Sequence, residues 1–307
     1  MITLLLTKQI IQLFLIMLCG YLLVKAGLLK SSDSKVLSIM IVYVICPCTI
    51  LNAFQIAYTP ETAGNFVLSF TAAAVIHALL FILVYLGSHV FHFTSIEKAS
   101  LIYSNAGNLI IPLVTAVLGE EWVIYASGFM VVQLFIIWTH GKSLVEGKTS
   151  FDMHSILTNV NLIACLIGLV MFLLHLQLPS LLKDTVKSLG GTIGPVSMMM
   201  LGMILAGVDI VKMMKGRRIW LITFLKMVAL PGLVILIMKF SGLANLSPDG
   251  QTILYISLMA TMTPSATTVT QMAQLYDKEV SYATAINTVT TLVCLVTMPL
   301  LTMLYYL

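Results

Sequence analysis

Charge is scarce in this chain. Of 307 residues only 9% are Asp, Glu, Lys or Arg, against 59% hydrophobic, and the mean hydropathy is +1.04. A soluble domain carries roughly 25% charged residues, so the polar surface needed to coat a water-soluble globule is missing. The net charge of +4 offers no basic patch for nucleic acid. The five cysteines, Cys19, Cys46, Cys48, Cys165 and Cys294, all lie in apolar runs, which argues against a disulfide framework and against zinc ligation. The chain has no HExxH motif, no paired membrane aspartates and no GxxxxGK[ST] loop. Intramembrane proteolysis and direct drive by ATP therefore have no motif to rest on, and no metal or cofactor is expected. No Asp or Glu falls in the core of an apolar run. Coupling through a membrane carboxylate loses support, while proton or sodium coupling by other groups stays open.

Long apolar runs separated by short polar breaks are what the sequence does contain. A bilayer span needs about 20 apolar residues. The pattern predicts an all-α integral membrane protein with ten transmembrane helices, at about 5–25, 34–56, 64–87, 97–118, 121–140, 155–176, 190–211, 218–240, 250–275 and 280–305. The first run holds Lys8 and no small-residue cleavage site, so it reads as a span and not as a removed signal. Residues 178–190 are amphipathic, and either lie in the membrane interface or extend the seventh helix. With the N-terminus outside, inner loops hold eleven Lys and Arg and outer segments four, with Asp209 near the inner end of the seventh span. The positive-inside rule favours that orientation, with both termini outside a cytoplasmic membrane.

A weak internal repeat divides the chain at about residue 150, into 1–150 and 151–307. Gly20 and Gly168 are 148 residues apart, as are Pro47 and Pro195; Pro112 and Pro264 are 152 apart, and His77 and Lys226 are 149 apart. Five helices per copy is an odd number, so the second copy enters the membrane from the opposite side. Inverted repeats are a device of transporters that alternate between two gates.

Helices four and nine are the least lipid-like. One carries Asn105, Asn108 and Pro112; the other carries Thr263, Pro264 and Ser265. Proline removes a backbone N–H and opens the turn before it. Unwound backbone in a bilayer persists only against protein or water. Two such breaks in matched places predict crossed half-helices whose N-termini receive an anion. Gln133 and Asn287, on the following helices, are further polar intrusions that either face this site or join helices. Lys226 is the only Lys or Arg within a span. It either attracts an anion, binds unwound carbonyls or snorkels to the inner interface, and His77 either carries a proton or bonds between helices.

The segments SNAGNLIIPLVTAVLG (104–119), LKMVALPGL (225–233) and MTPSATTVTQMAQLY (262–276) resemble the auxin efflux carrier family, in its bacterial branch of malonate and malate permease-like proteins. The resemblance implies a scaffold and a transport domain, each drawn from both repeats, and a crossover at Pro112 and Pro264 with a substrate carboxylate held beside it. It also matches Asn105 and Asn108 to the asparagine-bearing motif of the plant carriers, and suggests a homodimer through the scaffold. The expected function is secondary transport of a small organic anion, a mono- or dicarboxylate or an auxin-like acid. A passive anion channel and a membrane sensor or assembly subunit are the alternatives.

Overall fold

The structure is a computed structural model that describes residues 2–148, 153–207 and 216–306, with backbone alone at 2–10, 13, 14, 107, 108, 155, 274 and 295. Lys212, Lys215 and Asp209 lie outside the described residues, as does the side chain of Lys8.

Among the described residues the chain is helical throughout. Its helices are α1 (Ile2–Lys25), α2 (Ser31–Ala53), α3 (Pro60–Phe91), α4 (Ser95–Ile102), α5 (Ala106–Val117), α6 (Glu120–Glu146) and α7 (Met153–Leu157). They continue with α8 (Val160–Leu173), α9 (Ser180–Ala206), α10 (Arg217–Phe240), α11 (Gly250–Met262), α12 (Thr267–Leu275) and α13 (Val280–Tyr306).

Among the described residues five of these, α2, α3, α6, α9 and α10, are long and apolar enough to cross a membrane. A sixth, α13, qualifies if its segments Val280–Cys294 and Val296–Tyr306, bent by 55°, count as one span. The expected fourth and ninth spans are each two helices, α4 with α5 and α11 with α12. The amphipathic stretch Ser180–Gly190 forms the first part of α9, joined to Ile193–Ala206 by a turn at Gly191 and Thr192. At 32 residues, α3 is about 48 Å long, more than the hydrocarbon core of a bilayer requires.

Two helices carry a wide, π-type turn one residue before a proline that interrupts them: Ile41–Ile45 ahead of Pro47, and Leu225–Ala229 ahead of Pro231. The pyrrolidine ring crowds the carbonyl four residues back and leaves it no N–H, so the turn widens without ending the helix. A third wide turn, Ile137–Gly141 in α6, has no proline.

The chain forms two compact units, each drawing on both halves of the sequence: Met1–Gly64, Gly107–Ser127 and Leu157–Asp209 in one, and Asn65–Ala106, Gly128–Ile156 and Ile210–Leu307 in the other. In the first unit α1 packs on α9 at near backbone contact. A Cβ on Gly20 would collide with the carbonyl of Met199, and one on Gly202 with the carbonyl of Met17. Small residues permit such approach in membranes, where apolar side chains gain little by leaving lipid. Asn52 donates to Glu120 at 3.2 Å, and Gln55 Oε1 accepts from Leu178 N at 2.7 Å. Along α2 the exposed Val36, Ile39, Met40, Tyr43 and Val44 repeat at helical spacing, an apolar outer stripe that suits lipid.

In the second unit the inner stripe of α3 runs through Leu68, Ala72, Ala73, Ile76, Leu80 and Val84. Gly128 of α6 packs against Ser69 on the same face. Thr94 caps α4, accepting Glu97 N–H on Oγ1 at 3.3 Å while Glu97 Oε2 accepts Thr94 N–H at 2.9 Å. This unit holds both helix breaks.

Candidate functional site

The two breaks pair with each other. Between α4 and α5 the backbone leaves the helix at Tyr103–Asn105, and between α11 and α12 at Thr263–Ala266. Ser104 and Ser265 form an isolated antiparallel bridge. Asn105 N–H donates to Pro264 O at 2.8 Å, and Ala266 N–H donates to Tyr103 O at 3.0 Å. Each strand-like piece therefore supplies partners to the other, which is how unwound backbone survives in a membrane interior. A new helix starts directly after each, at Ala106 and at Thr267.

The chemistry of the sequence explains the breaks unequally. Pro264 lies in its break, where it has no N–H to leave unmet. Pro112 does not mark the other break, contrary to the expectation from sequence. It sits inside α5, and the break comes earlier, at Tyr103–Asn105. Asn, Gly and Ser weaken the helix there, while proline is accommodated further along. Pro112 and Asn108 fall in the first unit. The side chain of Asn108 lies outside the described residues.

The polar residues of α6 and α13 hold the two bridge serines in the same manner. Gln133 Nε2 donates to Ser104 O at 2.8 Å and its Oε1 accepts Ser104 N–H at 3.1 Å. Asn287 Nδ2 donates to Ser265 O at 2.7 Å, and Thr290 Oγ1 accepts Ser265 N–H at 3.2 Å. Of the two sequence readings of Gln133 and Asn287, the joining of helices is the one their geometry displays. Ser104 Oγ also donates to Thr261 O at 3.4 Å, and Thr263 Oγ1 turns back to Ala260 O at 2.7 Å.

Asn105 is different. Its side chain is 3% exposed, and its Oδ1 accepts from Thr267 Oγ1 at 3.4 Å. Among the described residues nothing accepts a hydrogen bond from its Nδ2. This amide lies at the break with its oxygen engaged by Thr267.

Lys226, fully buried on α10, also reaches the first break. Its Nζ donates to Leu101 O at 3.1 Å and to Ser104 Oγ at 2.9 Å. His77 on α3 is 1% exposed, with Nδ1 2.8 Å from Ala73 O and its ring 4.8 Å from that of Phe129. Its Nε2 has no partner among the described residues.

Three features of this unit escaped the sequence reading. Thr290 has a signal in hindsight, since it stands one turn after Asn287. Tyr103, at the start of the break, bonds through its hydroxyl to His140 Nδ1 at 2.7 Å, and His140 Nε2 meets the Tyr85 hydroxyl at 2.8 Å. Glu97, placed at a span end by sequence, is 1% exposed and takes Arg218 bidentately, with both N–O distances 2.7 Å. Tyr282 OH donates to the same carboxylate at 2.7 Å. Among the described residues no cluster of His, Cys, Asp or Glu could hold a metal ion.

A family model described as membrane transport protein matches residues 5–152 and 148–302. Among curated proteins none matches the chain.

Proposed function

The chain belongs to the membrane transport protein family, a family of transporters and not of enzymes, and on that basis we propose that it is a secondary carrier of a small organic anion. Its apolar helices make it a multi-pass membrane protein. The reading takes the full architecture to be ten spans in two inverted five-helix repeats, in a cytoplasmic membrane with both termini outside. It takes the transport cycle to be alternating access, and the chain to pair as a homodimer. Within the auxin efflux carrier resemblance it places the protein in the malonate and malate permease-like branch.

The observation that carries the proposal is the paired break. Ser104 and Ser265 are each held through N–H and C=O, the first by α6 and the second by α13. That matched arrangement supports two copies of one helical unit. Asn105 Nδ2 makes no hydrogen bond among the described residues, and the two new helices begin directly after the bridge. A carboxylate is the ligand such a place suits, because helix N-termini and amide donors favour an anion. Gln133, Asn287, Thr263 and Ser265 then act as the frame of the site, and Asn105 as its direct contact. His77, whose Nε2 makes no hydrogen bond among the described residues, is the group this reading takes as the proton candidate.

The deciding experiment is uptake of labelled malonate, malate and indole-3-acetate into proteoliposomes, with pH, sodium and voltage gradients imposed in turn. Saturable uptake that competing acids suppress supports a carrier. Flux linear in concentration points to a channel. No uptake of any acid by folded protein removes the organic-anion reading.

A further inference from the structure

Lys226 is a costly side chain to hold inside a membrane. It is 1% exposed, in the wide turn Leu225–Ala229 of α10. Among the described residues no carboxylate lies within ion-pair distance of it. An ammonium buried without an anionic partner is strongly disfavoured unless oxygen dipoles replace its water.

The first break supplies those oxygens. Leu101 O lies in the last turn of α4, and the N–H that would close the helix on it belongs to Asn105. That N–H donates to Pro264 O instead, so Leu101 O is left for Lys226. The helix dipole adds negative potential at the same end. Ser104 Oγ completes the observed contacts. The hydroxyls of Ser100 and Thr223 are buried without partners among the described residues. One is adjacent in sequence to Leu101 and the other precedes Lys226 by one turn. Carbonyl and hydroxyl oxygens at a negative helix end are the donor set that a hard cation takes.

We propose that Lys226 is a tethered cation: its ammonium fills the position at the first break that a sodium ion would otherwise occupy, so this chain transports without sodium. The inference rests on the paired breaks being the transport site, and defines the ion requirement of that site. A free ion couples to transport by loading and leaving in each cycle. A tethered ammonium cannot leave, so the electrostatic role is kept while the coupling to sodium is lost. The same geometry explains why Lys226 does not serve as an anion receptor, since its contacts are already carbonyl and hydroxyl oxygens.

The test uses the full chain in lipid nanodiscs. Wild-type protein is expected to unfold at one temperature in sodium, methylammonium and choline chloride of equal ionic strength. Lys226→Gly, which leaves room for a free cation, is expected to unfold about 5 °C lower in choline. Sodium or methylammonium should restore most of that loss. Lys226→Met, which keeps the bulk and removes the charge, is expected to lose as much and to recover nothing. In proteoliposomes, replacing choline by sodium should leave wild-type uptake unchanged and speed Lys226→Gly about fivefold. A sodium-dependent wild type, a Lys226→Met protein as stable as wild type, or a Lys226→Gly protein indifferent to every cation overturns the proposal. Should Lys226→Gly fail to fold, wild type and Lys226→Met decide. The unfolding measurements need no substrate, so a failure to transport any acid would sink the carrier reading and leave this test standing.

Discussion

Gln133 closes two hydrogen bonds on the backbone of Ser104, donating to its carbonyl at 2.8 Å and accepting its N–H at 3.1 Å. A residue that has left its helix inside a membrane keeps both polar groups satisfied by this one side chain. Gln133→Leu strands both groups, and a buried unmet group costs about 1–3 kcal/mol. The neutral acid of Gln133→Glu keeps an acceptor and an O–H donor, at the cost of staying uncharged. The expected order of thermal stability in nanodiscs is wild type, then Gln133→Glu, then Gln133→Leu, with uptake falling in the same order. Equal unfolding temperatures for wild type and Gln133→Leu would mean that the bridge holds without this clamp.

Asn105→Ala separates substrate contact from framework. The backbone N–H of residue 105 still donates to Pro264 O, so the bridge survives the substitution. Only the amide is lost, together with its contact to Thr267. The expectation is a drop in uptake of about tenfold or more, equivalent to roughly 1.4 kcal/mol or more of lost interaction with the anion. Unfolding temperature should stay close to that of wild type. Near-normal uptake would remove Asn105 from the substrate site.

How much of this was legible in the sequence differs from residue to residue. Apolar run length was enough to show a membrane protein, because the bilayer leaves few other solutions for such a chain. The break near Pro264 was legible because proline in a run of Ser and Thr has a local cause. The break near Asn105 was displaced, since proline was taken as its marker and Pro112 stays helical. Asn, Gly and Ser signal a break only weakly, and the partner strand from Thr263–Ala266 stabilises it from 160 residues away. That pairing is tertiary, so no local pattern announces it. For the same reason Gln133 and Asn287 could be selected as polar intrusions but not assigned. Glu97 was passed over because it lies at a span end, where carboxylates are usually wet; only its contact with Arg218 reveals a buried pair.

The packing of α1 on α9 gives a prediction independent of substrate. Gly20 and Gly202 meet backbone carbonyls, at Met199 and Met17, so an added side chain cannot escape by rotating a neighbour. Gly202→Val forces the helices apart along that stretch. Overpacking typically costs about 1–3 kcal/mol, and backbone contact puts this site at the upper end. Gly194, which meets nothing within 4 Å, serves as a control: Gly194→Ala should leave the unfolding temperature unchanged or slightly raised. If Gly202→Val unfolds with the control, the close approach of α1 and α9 is wrong.

The Glu97–Arg218 pair ties the starts of α4 and α10 to α13 through Tyr282. Glu97 is 1% exposed while the Arg218 side chain is 40% exposed. Loss of one partner from a fully buried pair costs about 3–5 kcal/mol, and the exposure of Arg218 lowers that through solvent screening to about 2 kcal/mol. Arg218→Ala should therefore destabilise more than Tyr282→Phe, which removes one hydrogen bond of about 1 kcal/mol. Arg218→Lys should recover only part of the loss, since an ammonium cannot reproduce the two-point contact or the bond to Phe91 O. Glu97→Gln combined with Arg218→Ala should cost less than Arg218→Ala alone, because no buried charge is then left unpaired. Unfolding temperatures of the four variants measure this order directly. A double variant less stable than Arg218→Ala would show that Glu97 is sustained by Tyr282 and Thr94 and not by the arginine.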